Sequence, residues 1–147
     1  MKNTILTVVG VLAIGVFLWW AGSLSSSDPE TLAARGLHWH TKIDIFVKGE
    51  SIEVPANIGL IGGHNPIHTH DEEPGVIHLE FDGKVTYADT ELGNFFKIWN
   101  KEFSSTQLFE YVNGEEGVVS MTVNGEVNTE FEKYQMKDGD EVVISFE

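Results

Sequence analysis

Residues 4–21 carry no charged side chain. A run this long and this apolar cannot be laid over the surface of a small globular domain. As a helix, its 18 residues span about 27 Å at ~1.5 Å per residue, close to the thickness of bilayer hydrocarbon. Trp19 and Trp20 fall where an interfacial aromatic belt sits. Lys2 and the amino terminus put positive charge on the near side, so the positive-inside rule leaves the N-terminus in the cytoplasm. The feature divides the chain. Residues 1–22 read as a transmembrane anchor or signal segment, residues 23–36 as a linker and short helix, and residues 37–147 as one extracytoplasmic histidine-rich domain. Cleavage at Ala21-Gly22-Ser23 is the competing reading, although the apolar run is long and the Trp pair bulky for a signal peptide. The protein is then single-pass at the cell membrane, or secreted if cleaved. Both readings place the domain outside.

Within that domain the hydrophobic spacing changes with position. Over residues 39–47 it alternates: Trp39, Thr41, Ile43, Ile45 and Val47 share one face, and His38, His40, Lys42, Asp44 and Phe46 share the other. Lys48-Gly49-Glu50 turns the chain into a return strand over residues 51–54. Residues 56–75, rich in Gly, Pro, Asn and Asp, read as a long loop of the kind that usually carries function. Residues 76–81 form a second alternating strand, with His78 and Glu80 opposite Ile77, Leu79 and Phe81. Asp82-Gly83 leads into a strand over residues 84–87. A helix is expected over residues 89–99, because Leu92, Phe95, Phe96 and Trp99 fall at i, i+3, i+4 and i+7, with Asp89 or Thr90 as cap. Asn124-Gly125 is a strong hairpin signal between residues 118–123 and 126–127. A last strand is expected over residues 141–146. A second short helix is expected over residues 28–36, with Gly36 as its stop. The class is α+β, a mixed sheet packed on one amphipathic helix, with one N-terminal transmembrane helix.

The net charge of −14 repels phosphate backbones and excludes nucleic acid as a natural partner, while it attracts cations. The chain has no cysteine, which excludes disulfides, thiolate zinc sites, iron–sulfur clusters and Cys-ligated copper.

All six histidines lie between residues 38 and 78. Two form His38-Trp39-His40 and two form His68-Thr69-His70; His64 and His78 complete the set. Residues two apart on an extended segment share a face, so each His-x-His pair can aim at one point. Imidazole is the commonest protein metal ligand. His38, His40, His64, His68, His70 and His78 are therefore the candidate ligands, with Asp71, Glu80 and Asp44 as candidate acceptors that orient the rings. Imidazole donors in an oxidising compartment favour Cu²⁺, with Zn²⁺ next.

Three blocks, His-Trp-His at 38–40, Pro-Ile-His-Thr-His-Asp at 66–71 and Ile-His-Leu-Glu at 77–80, together with Leu-Gly-Asn-Phe-Phe at 92–96, resemble an uncharacterised prokaryotic family of membrane-anchored extracytoplasmic proteins. That resemblance implies a location and no activity. Val-Asn-Gly-Glu at 123–126 followed by Lys-Asp-Gly-Asp-Glu-Val-Val-Ile at 137–144 resembles the end of a β-grasp (ubiquitin-like) fold. The order hairpin, helix, further strands is similar to that fold as well. His-x-His followed by Pro-Gly-x-x-His imitates cupin metal motifs, but the two halves are too close together and a helix interrupts the strands.

The expected function is metal binding outside the membrane, in capture or delivery, with the metal ion and the membrane as partners and any protein partner unknown. Two alternatives stand beside it. One is a metalloenzyme with an open His-ligated site and Glu80 or Asp71 as general base. The other is a metal-free module whose histidines charge below about pH 6.5 and open a loop. No Ser/His/Asp order, P-loop or HExxH pattern points to a particular reaction, so the chain reads as a binding protein more than as an enzyme.

Overall fold

The computed structural model describes residues 30–147. The apolar run 4–21 and the linker at 23–27 lie outside the described residues. Among the described residues no helix is long and apolar enough to cross a membrane. The described residues form a mixed α+β fold, mostly sheet, with one α-helix among them.

Its centre is Leu37–Val47 (β2), 11 residues long. Trp39, Thr41, Ile43, Ile45 and Val47 alternate with His38, His40, Lys42 and Asp44, and burial follows the alternation: Ile43 and Ile45 are in the core while Lys42 is exposed. Val76–Phe81 (β5) pairs antiparallel with the first half of β2, and Glu50–Ile52 (β3) pairs antiparallel with its second half. Glu141–Phe146 (β12) runs parallel to β2 on the other side, from Glu141 opposite Lys42 to Phe146 opposite Val47. Val119–Val123 (β10) and Glu126–Val127 (β11) continue the sheet beyond β12. Their two-residue turn has positive φ at both positions, 52° at Asn124 and 81° at Gly125, which matches the twist of the flanking strands.

The loop expected over residues 56–75 is not wholly irregular. Ile67–His68 (β4) adds an edge strand to β5, completing a seven-stranded sheet. A two-residue strand is too short for its alternation to be read from sequence. For the same reason the small meander of Phe103–Ser104 (β7), Gln107–Leu108 (β8) and Tyr111–Val112 (β9) leaves no clear signal.

Leu92–Ile98 (α1) supplies Leu92, Phe95 and Phe96 to the core, where they join Ile43, Ile45, Ile77, Leu79, Val142, Ile144 and Phe146. Truncating either phenylalanine to alanine costs roughly 3–5 kcal/mol. Trp99 caps the helix C-terminus and packs, half-buried, against Phe95, Phe96 and Phe109. The expected cap acts one turn earlier than the helix: Asp89 accepts from the Thr86 amide at 2.7 Å and hydroxyl at 2.8 Å, closing a 3-10 turn at Tyr87–Thr90.

The helix expected over residues 28–36 does not form at its centre. Thr31–Ala33 (β1) is a strand, antiparallel to Val85–Thr86 (β6). A single short helix has little stability of its own, whereas pairing with β6 supplies partners for the backbone. β6 accordingly turns away from β5 to meet β1.

A candidate metal centre

One face of β2, β5 and β4 belongs to the core. The other carries a row of imidazoles. His40 lies directly opposite His78, and His78 directly opposite His68. One register step along, His38 lies opposite Glu80. The alternation that buries Ile43, Ile77 and Leu79 thus aims these residues together on the reverse side. The loop brings in the remaining two. Thr69 points inward, donating to Pro55 O at 2.8 Å and accepting from the Ile58 amide at 3.1 Å, which leaves His68 and His70 on either side of it.

All six histidines meet here. Ring centroids lie 4.7 Å apart for His40 and His78, 4.7 Å for His70 and His78, 4.8 Å for His68 and His70, 4.8 Å for His38 and His40, and 4.6 Å for His64 and His68. Nε2 of His38 is 3.2 Å from Nε2 of His40, and Nε2 of His68 is 3.1 Å from Nε2 of His70. Two nitrogens sharing a tetrahedral zinc ion stand about 3.3 Å apart, given Zn–N bonds of about 2.0–2.1 Å. Three groups place one ligand atom per residue within 4.8 Å of one another: His38, His40 and His78; His68, His70 and His78; and His64, His68 and Glu80.

Burial grades across the cluster. His38 and His64 are exposed, His40 and His70 half-buried, His78 5% exposed and His68 fully buried. Among the described residues, the buried side-chain polar atoms left without a hydrogen bond are both ring nitrogens of His78. Glu73 Oε2 approaches His78 Nε2 to 3.1 Å, but not in hydrogen-bonding geometry. A buried polar atom left unpaired costs about 1–3 kcal/mol, and a metal ion would remove that cost. His68 is held differently. Its Nδ1 is 2.9 Å from Asn65 O, so Nδ1 carries the proton and donates it, leaving Nε2 unprotonated as the acceptor toward His70 Nε2 and as the nitrogen that would ligate an ion.

Burial pushes both His68 and His78 below the ordinary histidine value of 6.5. At His68 the Asn65 carbonyl opposes that shift; at His78 the neighbouring His40 and His70 add to it. Both rings are therefore neutral at pH 7, the form that binds metal.

Of the expected acceptors, Glu80 is central: Oε1 is 3.3 Å from His38 Nε2 and 3.9 Å from His78 Nδ1, and Oε2 is 3.9 Å from His68 Nε2. Asp44 is elsewhere. It lies four residues beyond His40 on the same strand, about 13 Å at ~3.3 Å per residue, and pairs with Lys42 at 3.3 Å. Asp71 is exposed and belongs to none of the three groups. Two carboxylates that sequence reasoning missed stand closer. Glu73 faces His78, and Asp138 Oδ1 accepts from the His40 amide at 2.9 Å with His40 Nδ1 3.7 Å away. The acidic run 71–73 before Pro74-Gly75 hinted at Glu73. Asp138 required the parallel pairing of β12 with β2, which sets the 137–140 turn beside His40 through Gly139 N to His40 O at 2.8 Å.

Open surface reaches the centre from two sides. A groove lined by Ile58, Gly59, His64, Ile98 and Trp99 exposes His64, and a shallow pocket lined by Arg35, His38, Glu80 and Asp82 exposes the His38–Glu80 pair. Fold and site define a mixed α+β protein whose histidine groups could hold a metal ion. No protein family, curated protein or solved structure matches the chain.

Proposed function

We propose that this chain is an extracytoplasmic metal-binding protein, tethered to the cell membrane by residues 1–22, that captures or delivers Cu²⁺ or Zn²⁺. The observation that carries the metal reading is His78: a nearly buried imidazole with no hydrogen bond at either nitrogen, ringed by His40, His68 and His70. Ligand chemistry supports a divalent ion. The donors are imidazoles and carboxylates, which suit Cu²⁺ and Zn²⁺. The soft donors Met121 and Met136 are buried in the core, so Cu⁺ has no thioether to meet among the described residues. The gradient from exposed His38 and His64 to buried His68 and His78 suits capture, since an incoming ion exchanges water for imidazole stepwise.

The β-grasp reading of the fold rests on strand order. β3, β2, β12, β10 and β11 are neighbours in that sequence, β12 is parallel to β2, and α1 falls between β3 and β10 along the chain. Placement outside the membrane rests on the uncharged run 4–21, Lys2 and the tryptophan pair.

Titration of the detergent-solubilised full chain with Cu²⁺ and Zn²⁺ tests the function. The expected result is tight binding that falls at least ~100-fold in a His68→Ala/His78→Ala variant, which removes a ligand from each of the three groups. Weak binding unchanged by the double substitution contradicts it.

A further inference from the structure

We propose that the centre holds two metal ions at once, with the Glu80 carboxylate between them. The inference rests on the metal-binding reading above and goes beyond it. Two of the three ligand groups share no residue: His38, His40 and His78 form one, and His64, His68 and Glu80 form the other. Each triad can therefore be filled without emptying its neighbour. The two close Nε2 pairs, His38 with His40 and His68 with His70, also lie on different segments, so the cluster has two separate ligand edges of the length one ion spans.

Glu80 joins them. Oε1 faces His38 at 3.3 Å and Oε2 faces His68 at 3.9 Å, so one carboxylate presents one oxygen to each triad. That disposition suits a bridge, and a bridging anion offsets the repulsion between two dications. Further negative charge is at hand in Glu73 beside His78 and Asp138 beside His40. His70 lies against both His68 and His78 and is available to either ion. The ligands expected are two divalent first-row transition ions bound by imidazole.

The test uses the full chain in detergent, loaded with excess Cu²⁺ or Zn²⁺, freed of unbound metal and analysed for metal per chain. Two ions per chain are expected. A His38→Ala/His40→Ala variant and a His64→Ala/His68→Ala variant should each retain one. Glu80→Gln, which keeps the shape and removes the charge, should weaken the second ion at least ~10-fold more than the first. Paramagnetic resonance of the Cu²⁺ form should show coupling between two nearby ions, lost in each double variant. Circular dichroism checks that each variant is folded. One ion per chain in the wild type, or loss of all metal from a folded double variant, overturns the two-ion proposal and leaves metal binding standing. Absence of bound metal from the wild type overturns both.

Discussion

His78 sits directly opposite His40 on the neighbouring antiparallel strand, with ring centroids 4.7 Å apart. The pairing depends on sheet register. A slip of one residue would send every side chain of β5 to the other face, exchanging His78 for Leu79 in the core. The apolar residues that fix the register therefore also assemble the histidines.

His78 should trade stability for binding. Its imidazole is buried without a hydrogen bond, so His78→Leu removes two unpaired polar atoms. The metal-free variant should be more stable by about 1 kcal/mol, a rise in Tm of roughly 3–4 °C for a chain of this size. Zn²⁺ or Cu²⁺ should raise the Tm of the wild type and raise that of the variant by clearly less, since the variant keeps only the group of His64, His68 and Glu80 intact. Thermal melts with and without metal read both effects. A variant that melts lower without metal and keeps the full metal-induced shift contradicts this role.

Acid should destabilise the metal-free protein. His68 and His78 have folded-state values below 6.5, so the unfolded chain binds protons more readily than the folded one. The stabilising contribution is complete above about pH 6.5, declines as pH falls through that value, and falls no further once both rings are protonated in the folded state. Denaturant unfolding at pH 7.5, 6.5 and 5.5 should show that decline, and a His68→Leu/His78→Leu variant should flatten it. Bound metal competes with protons for the same nitrogens, so loading should shift the loss to lower pH. A decline equally steep in the leucine variant would assign it to other groups.

Gly59 should matter to the site although it bears no ligand. Its φ is +78°, and a Cβ there would stand 2.4 Å from Ile67 O and 3.2 Å from His68 Cβ. Gly59→Ala should cost about 1–2 kcal/mol and weaken metal binding by displacing His68. Gly62 has a similar φ of +87° with nothing within 4 Å of the added carbon. Gly62→Ala should therefore cost backbone strain and leave metal affinity unchanged. Equal affinity in the two variants would contradict the link between Gly59 and His68.

The sheet-forming half of this domain is legible from alternation. β12 buries every second residue, β2 does so from Thr41 to Val47, and β5 and β10 do so at Ile77 and Leu79 and at Val119 and Met121; the Asn124-Gly125 turn names its own hairpin. The aromatic stripe at Leu92, Phe95 and Phe96 likewise identifies α1. All six ligand candidates are legible because the sequence confines every histidine to residues 38–78. What the sequence hides is contact between distant segments. β4 is two residues long, Thr31–Ala33 pairs with Val85–Thr86 rather than coiling, and Asp138 reaches His40 only through a parallel pairing. Asp44 illustrates the converse: it shares a face with His40 and lies near it in sequence, yet Lys42 pairs with it beyond the end of the histidine row.

Anomalous diffraction from crystals of the metal-loaded protein, recorded at the copper or zinc absorption edge, is the most direct test of the central claim. The expected result is anomalous density within about 2.0–2.1 Å of imidazole nitrogens in the row formed by His40, His78 and His68. Loaded crystals with no anomalous density there, or with peaks only at carboxylates elsewhere on this acidic surface, would contradict it.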